Sequence, residues 1–210
     1  MSRSCDPRDG DGTAAAGAAA SVSPQVPIPA GHAPVDAGEA HEARPDAPLA
    51  VVVMGVSGCG KTSVGEALAQ RLGARFVDAD DFHPPANVEK MRRGTPLDDT
   101  DRAPWLARLN AVLRHSVAKG DPVVLACSAL KARYRTALGE RLPGLRIVHL
   151  AGSFELISAR LATRQHRYMP PSLLASQFEA LEAPDDAVTV DVDASVEAIA
   201  EAAARGLRRD

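Results

Sequence analysis

The chain has 210 residues, 45% of them hydrophobic and only 3% aromatic, with a formal net charge of −3 and three cysteines. This length is typical of one domain, and no run approaches the roughly 18 consecutive apolar residues of a membrane-spanning helix, so we expect no membrane association. The small net charge gives no reason to expect a nucleic-acid partner, while cysteines without a C-x-x-C pair argue against a structural zinc site and fit a reducing, cytoplasmic location.

Residues 1–48 differ in composition from the rest of the chain. Half of them are Ala, Gly or Pro, and the large aliphatic side chains are confined to Val22, Val26, Ile28 and Val35. Such a segment buries too little apolar surface to offset the entropy lost on ordering, so we predict a disordered tail. Targeting, partner binding and a start assigned too early are the alternatives that stay open.

From residue 49 onward, short apolar runs alternate with amphipathic stretches. The runs that predict strands are Leu49–Met54, Arg75–Val77, Pro122–Ala126, Leu145–Leu150 and Ala187–Val190. Helices are predicted by a stripe from Val64 to Leu72 that stops at Gly73, by Leu106 to Leu113 with Pro104 near the first turn, and by residues 130–142, 155–161 and 196–207. This alternation predicts, for residues 49–210, a three-layer α/β fold in which helices cover both faces of a central parallel five-stranded sheet.

Directly after the first predicted strand, the sequence GVSGCGKT fits the pattern G-x-x-x-x-G-K-[ST] in full. Glycines let the backbone bend around an anion so that successive N–H groups point inward, and the following helix adds its positive dipole end. Lys61 can reach the β- and γ-phosphates as a catalytic residue, and the Thr62 hydroxyl can ligate Mg²⁺. We therefore predict that a nucleoside triphosphate is bound by Gly55, Val56, Ser57, Gly58, Cys59, Gly60, Lys61, Thr62 and Ser63.

The loop alone does not say whether the γ-phosphate is transferred, hydrolysed or sensed. Residues 49–210 lack the [NT]-K-x-D segment by which switch GTPases read guanine, and they lack the L-S-G-G-Q element of transport ATPases. They also leave little room for motor or partner-docking domains. A kinase that acts on small molecules is the interpretation that remains.

Two aspartates follow the second predicted strand with a spacing of i, i+2. Such side chains project to one side at the carboxyl edge of the sheet, where α/β folds bind ligands. Phosphoryl transfer needs one acid that organises Mg²⁺, here Asp78 acting through water, and one that orients or deprotonates the attacking hydroxyl, here Asp80. A helix cap is the alternative for each of them. His83, which precedes two prolines, is a candidate substrate contact.

The run DADDFHPPANVEKMRRGTPLDDTDRAPWL (residues 78–106) resembles the signature of the gluconokinases, as do CSALKARYR (127–135) and SQFEALE (176–182). Gluconokinases are small P-loop kinases of the shikimate-kinase and nucleoside-monophosphate-kinase type that phosphorylate D-gluconate on its 6-hydroxyl. The resemblance covers essentially all of residues 49–210. It implies the P-loop kinase fold, ATP and Mg²⁺ as cofactors, gluconate as the small-molecule substrate and, because the family often forms dimers, a possible homodimer.

The resemblance also assigns residues to the acceptor side. In the resemblance, Ser128 and Lys131 line the acceptor pocket, and the chemistry of their side chains makes His83, Lys90, Arg102 and Arg135 further candidate substrate contacts. A carboxylate favours the planar fork of a guanidinium group, so Arg102 and Arg135 are both candidates for the gluconate carboxylate. The alternatives that involve no substrate contact are a solvated surface helix for the charged stretch and N-capping for Asp98 to Asp101.

Three arginines spaced by four and three residues, Arg160, Arg164 and Arg167, precede a pair of prolines. Kinases of this type close a lid over ATP at this point, and Arg164 matches the lid arginine. The resemblance therefore predicts a small helical lid over residues 164–175 with Arg164 as a catalytic residue. The family has His where this chain has Arg167. Two alternatives stay open, namely the same chemistry on shikimate or a nucleotide and an ATP-binding regulator without transfer activity.

Overall fold

One parallel sheet organises the computed structural model of the chain, which describes residues 50–163 and 172–208. Its strands are β1 (Ala50–Met54), β2 (Arg75–Asp78), β3 (Val123–Ala126), β4 (Arg146–Ala151) and β5 (Val188–Asp191). They lie in the order β2-β3-β1-β4-β5, and every neighbouring pair is parallel. The predicted α/β class and five-stranded sheet are therefore confirmed.

Seven α-helices and one short 3-10 helix connect the strands within the described residues. They are α1 (Lys61–Leu72), the 3-10 helix (Ala79–Phe82), α2 (Pro85–Arg92), α3 (Asp99–Lys119), α4 (Ala132–Gly139), α5 (Phe154–Thr163), α6 (Ser172–Glu179) and α7 (Val196–Leu207). α1 ends where the sequence predicts, because Gly73 takes a left-handed φ of 65° and its N–H reaches the carbonyls of the last turn.

The core lies on both faces of the sheet. Successive side chains of β1 alternate between the two layers, so that Val51 and Val53 join the cluster formed with α1 and α7. Val52 and Met54 join the cluster on the other face, with α3 and α4. All five residues of β1 are buried, as its continuous apolar sequence predicts for a strand covered on both sides.

α3 begins earlier than the sequence predicts. It starts at Asp99, so Pro104 lies in its second turn rather than its first. The reason is a reciprocal cap: Asp98 Oδ1 accepts from the Asp101 N–H and Asp101 Oδ2 accepts from the Asp98 N–H, each over 2.9 Å. N-capping, the bland alternative for these aspartates, is therefore what the structure shows. α4 is shorter than the predicted helix over residues 130–142.

Parts of the predicted organisation lie outside the described residues. These are the predicted tail over residues 1–48 and residues 164–171 of the predicted lid, which include Arg164. Residues 172–175 form the start of α6. No helix in the described part of the chain is long and apolar enough to cross a membrane.

Candidate active site

Three loops that carry predicted site residues leave the sheet side by side. We name them the phosphate loop, the acidic loop and the acceptor loop, residues 55–62, 78–84 and 127–131. β3 lies between β1 and β2, and Ala126 at its end pairs with Asp78. Because the carboxyl ends of parallel strands share one edge, the three loops meet there. The Gly55 N–H donates to the Ser128 carbonyl over 3.3 Å, so the phosphate and acceptor loops are in direct contact.

The phosphate loop takes the bend that its glycines predict. Gly58 and Gly60 have φ values of +84° and +99°, which side chains disfavour. A Cβ on Gly58 would also lie 2.7 Å from Cγ of Leu161 on α5. α1 begins at Lys61, so its first N–H groups lie at the end of the loop, where a phosphate binds favourably. The Lys61 ammonium crosses the loop and donates to the Val56 carbonyl over 3.1 Å.

Cys59 and Ser63, which the sequence also assigns to the nucleotide site, have different environments. Cys59 is 1% exposed, and burial raises the pKa of its thiol although the Lys61 charge opposes the shift. A thiol with a raised pKa is a poor nucleophile, so Cys59 serves as a small packing residue in the loop. Ser63 lies in the first turn of α1, partly exposed beside Thr62.

The phosphate loop and the acidic loop are joined by one side-chain contact. The Thr62 hydroxyl donates to Asp78 Oδ2 over 2.9 Å. The other oxygen, Asp78 Oδ1, accepts from the Asp80 N–H over 3.0 Å and caps the 3-10 helix. A hydroxyl and a carboxylate are the hard oxygen ligands that suit Mg²⁺, which keeps several waters and shares substrate phosphates. The donor set therefore fits the predicted cation, with few ligands from the protein itself.

Asp80 and His83 lie next to each other on the acidic loop, with His83 Nε2 3.9 Å from Asp80 Oδ1. The pKa of Asp80 is raised, first by partial desolvation in the cleft and then by the negative charge of Asp78. Its side chain is 88% exposed, so solvent limits the size of this shift. The His83 ring stacks on Trp105 with centroids 4.2 Å apart. Burial and the Arg102 charge lower the pKa of His83 to about 4, so the imidazole is neutral at physiological pH.

The Lys90 ammonium pairs with Asp98 and Asp101, the two aspartates that cap α3. Its ammonium lies 2.5 Å from Asp101 Oδ2 and 3.5 Å from Asp98 Oδ2. The Asn87 side chain donates to the Asp101 carbonyl over 2.9 Å and lies 3.5 Å from His83 Nδ1. Lys90, a predicted substrate contact, is therefore already paired with the cap of α3.

Tyr134 lies at the centre of a second charged cluster, between the first turns of α3 and α4. Its hydroxyl donates to Asp99 Oδ1 over 2.5 Å, while Lys131 and Arg133 lie 3.7 and 2.6 Å from the same carboxylate. Arg102, Lys131 and Arg133 all lie within 6 Å of the Tyr134 ring centroid, at 5.4, 5.7 and 5.5 Å. Three cations therefore face one carboxylate, which leaves positive charge beside the acceptor loop.

The two candidate arginines for a substrate carboxylate differ in what they contact. Arg135 donates from Nη1 to the Ala129 and Leu130 carbonyls, each over 3.1 Å. These bonds hold the acceptor loop where Ala129 has a positive φ of 43°. Arg102 donates to the Leu97 carbonyl and lies 3.5 Å from the Tyr134 hydroxyl.

Two residues of the site were not singled out from the sequence, although both belong to the run SQFEALE. Gln177 of α6 accepts from the Ser57 N–H of the phosphate loop over 2.7 Å. Glu182 accepts from the Ala132 N–H at the start of α4 over 2.6 Å. Their presence in this run was the only sequence feature that pointed to a role in the site. Neither contact could be predicted from local sequence, because each joins residues far apart in the chain.

The described arginine of the lid region reaches the loop that follows β5. Arg160, near the end of α5, donates from Nη2 to the Val192 carbonyl over 2.8 Å. Arg164 and Arg167 lie outside the described residues. The catalytic assignment of Arg164 therefore stays a prediction.

Comparisons with known proteins identify the family of this chain. A family model described as an AAA domain matches residues 51–184. The chain is 46% identical to a probable gluconokinase of Mus musculus over 183 residues, which is 78% of this chain and 100% of the relative. The chain belongs to the gluconokinase family. It is also 52% identical to a gluconokinase of Gluconobacter oxydans over 140 residues, covering 66% of this chain and 78% of the relative.

A solved structure supports the same assignment at the level of the fold. The crystal structure of a gluconokinase from Sinorhizobium meliloti superposes with a TM-score of 0.70 at 46% identity, covering 77% of this chain and 93% of that one. The gluconokinase resemblance, the P-loop kinase fold and the assignment as an enzyme are therefore confirmed.

Proposed function

We propose that this gluconokinase-family protein transfers the γ-phosphoryl group of ATP to the 6-hydroxyl of D-gluconate, giving 6-phospho-D-gluconate and ADP. The observation that carries the proposal is the 2.9 Å bond between Thr62 and Asp78, because it joins the phosphate loop to the acidic loop at one sheet edge. A phosphate donor and a hydroxyl acceptor bound on these two loops are close enough to react. The choice of gluconate is supported by the family to which the chain belongs.

On the donor side, backbone N–H groups of the phosphate loop would hold the phosphates of ATP, as the left-handed conformations of Gly58 and Gly60 permit. Lys61 exchanges its bond to the Val56 carbonyl for the phosphate oxygens and neutralises charge that develops during transfer. Thr62 directly, and Asp78 through water, would hold Mg²⁺, which supplies further charge neutralisation when bound. Arg164 closes over the phosphates in this proposal.

On the acceptor side, Asp80 accepts the proton of the 6-hydroxyl as the oxygen bonds to phosphorus and the bond from phosphorus to the ADP oxygen breaks. A carboxylate with a raised pKa is better suited to this proton transfer near neutral pH. His83, neutral and held by the Trp105 stack, is positioned to hydrogen-bond a substrate hydroxyl.

The contacts favour Arg102 over Arg135 for the gluconate carboxylate. The Arg102 charge acts on His83, whereas the Arg135 charge acts on His149, which is buried in β4. Arg102 also belongs to the cluster of cations around Tyr134, whose ring the Lys131 ammonium contacts as well. An acidic substrate would find excess positive charge there.

An acceptor panel tests the proposal directly. ADP release is measured with gluconate, shikimate and nucleoside monophosphates, using the wild type beside Asp80→Asn. We expect the highest kcat/KM with gluconate, and in the variant a loss of kcat of about 10²- to 10⁴-fold because the proton acceptor is removed. ATP affinity, measured by calorimetry, should not change.

Each failure in this panel has a separate meaning. A higher kcat/KM with shikimate or a nucleotide would mean that this compound, and not gluconate, is the acceptor. ATP binding without turnover of any acceptor would favour the alternative that the protein is an ATP-binding regulator without transfer activity. Full activity of the Asp80→Asn variant would reject Asp80 as the proton acceptor.

A further inference from the structure

A short stretch from Gln177 to Glu182, the bridging segment, contacts both the phosphate loop and the acceptor side. At its start, Gln177 Oε1 accepts from the Ser57 N–H over 2.7 Å, and Nε2 lies 3.4 Å from the Ser57 hydroxyl. At its end, the Glu182 N–H donates to the Leu130 carbonyl over 2.9 Å. The Glu182 carboxylate accepts from the Ala132 N–H over 2.6 Å.

The bridging segment is also anchored between its two ends. Leu181 packs against both hydrophobic clusters, the one beneath α1 and α7 and the one beneath α3 and α4. Phe178 packs against the first cluster and meets the Phe154 ring edge-on, with centroids 5.5 Å apart. Because side chains packed into two layers move little, a shift of one end of the segment is transmitted to the other.

The two loops at the ends of the bridging segment have different tasks in the proposed reaction. The phosphate loop fixes the donor phosphorus, and the acceptor loop lies beside the acceptor hydroxyl. A misplacement of about 1 Å between reacting groups can reduce the rate about 100-fold, so their separation has to be held. The direct bond from the Gly55 N–H to the Ser128 carbonyl is long, at 3.3 Å.

We infer that Gln177 and Glu182 are positioning residues that hold the phosphate loop and the acceptor loop at the separation needed for transfer. The inference rests on the proposed function, because it assumes that the donor binds at the phosphate loop and that the acceptor, whose hydroxyl meets Asp80 of the acidic loop, also contacts the acceptor loop. Neither side chain has to touch a substrate. Gln177 acts through the Ser57 N–H of the phosphate loop, and Glu182 acts through the Ala132 N–H at the start of α4, directly after the acceptor loop.

A double-mutant cycle tests the inference with Gln177→Met, Glu182→Met and the combined variant. Methionine keeps the length of each side chain but removes its hydrogen bonds. We expect each single change to lower kcat about tenfold, the upper range for one lost hydrogen bond, while the calorimetric Kd for ATP changes less than about threefold. Since both residues hold one connection, the combined variant should lose about as much as the worse single variant rather than about 100-fold.

Matched variants separate positioning from a merely structural effect. Glu182→Gln keeps an acceptor oxygen for the Ala132 N–H and should recover most of the kcat lost in Glu182→Met. Glu179→Gln, an exposed change on α6, the helix that carries Gln177, should leave kcat and both KM values unchanged. If the combined variant does not fold, the single variants carry the test through the split between kcat and Kd.

Three results would overturn the inference. They are multiplying effects in the combined variant, changes confined to the KM or Kd of one substrate, and an unchanged kcat in both single variants. The wild type is assayed on gluconate in parallel, so failure of the proposed function is seen separately. In that event the cycle is measured with the acceptor that the panel identifies.

Discussion

The donor and acceptor regions of this site are built from different parts of the chain. The donor region is mainly backbone: a loop whose N–H groups and left-handed glycines form a concave surface before α1. The acceptor region is mainly side chains, carried by α2, α3 and α4. Its charges are paired with one another, as in the contacts of Lys90 with Asp101 and of Arg133 with Asp99.

This difference determines what each region must do when a substrate arrives. The donor region is preformed, so a phosphate replaces little more than the bond from Lys61 to the Val56 carbonyl. The acceptor region has to exchange existing ion pairs for contacts with a polyol acid, which costs part of the binding free energy. Apart from Asp80, which takes part in the proton transfer, single substitutions should therefore have larger and simpler effects in the donor region.

In the donor region, the largest effect is expected for Lys61→Met. Because the ammonium neutralises charge that develops on the transferred phosphoryl group, its removal should lower kcat/KM by about 10²- to 10³-fold. Steady-state kinetics with gluconate measures the loss, and circular dichroism checks the fold. A loss below about tenfold would mean that the donor region does not depend on this charge.

In the acceptor region, the neutral His83 should make stability depend on pH. Its pKa is about 4 in the folded protein against 6.5 as a free side chain, so the unfolded state binds more protons between these values. The contribution is complete above pH 6.5 and is lost as the pH falls toward 4, by up to about 3 kcal/mol.

Urea unfolding of the wild type and of His83→Phe measures this contribution. The variant keeps a ring against Trp105 but has no proton to bind, so its free energy of unfolding should fall less as the medium becomes acidic. Parallel pH curves for the two proteins would mean that the imidazole is not held neutral by its surroundings.

The two arginines sharpen the comparison within the acceptor region itself. Arg102→Met should raise the KM for gluconate about 10- to 100-fold with little change in the KM for ATP, because a charge-assisted contact with the carboxylate is lost. Arg135→Met should mainly lower the free energy of unfolding, because it removes two bonds to the acceptor loop. The reverse pattern would mean that Arg135, and not Arg102, binds the gluconate carboxylate.

The smallest effect is expected on the outer surface of α2. Glu89 pairs with Arg93 over 2.8 Å, but both side chains are largely exposed, at 48% and 73%. Glu89→Gln should change the free energy of unfolding by less than about 0.5 kcal/mol and leave the kinetics unchanged, because solvent screens such pairs. A larger loss would show that α2 is held by its outer charges as well as by Lys90 and Asn87.

How much could be predicted from the sequence depends on whether a feature is formed by residues that are close together in the chain. Strand order along the chain and the phosphate loop follow from apolar runs and from glycine spacing, which are local signals. The start of α3 depends on a reciprocal cap between Asp98 and Asp101. The sequence also contains Pro104, a residue typical of a first helical turn, and this signal favours a later start. The contact between Gln177 and Ser57 joins residues 120 positions apart, and no local pattern encodes such a distance.

Asp78 uses its two carboxylate oxygens for different purposes. One accepts from a backbone N–H and fixes the turn into the 3-10 helix, while the other accepts from the Thr62 hydroxyl. An asparagine at this position keeps an oxygen for the turn but loses the negative charge and the oxygen that accepts from Thr62, because its second group is an N–H donor, whereas an alanine loses the bond to the turn as well. Evolution can therefore alter the cation affinity of this edge of the sheet without rebuilding the turn, but only through an amide of the same shape.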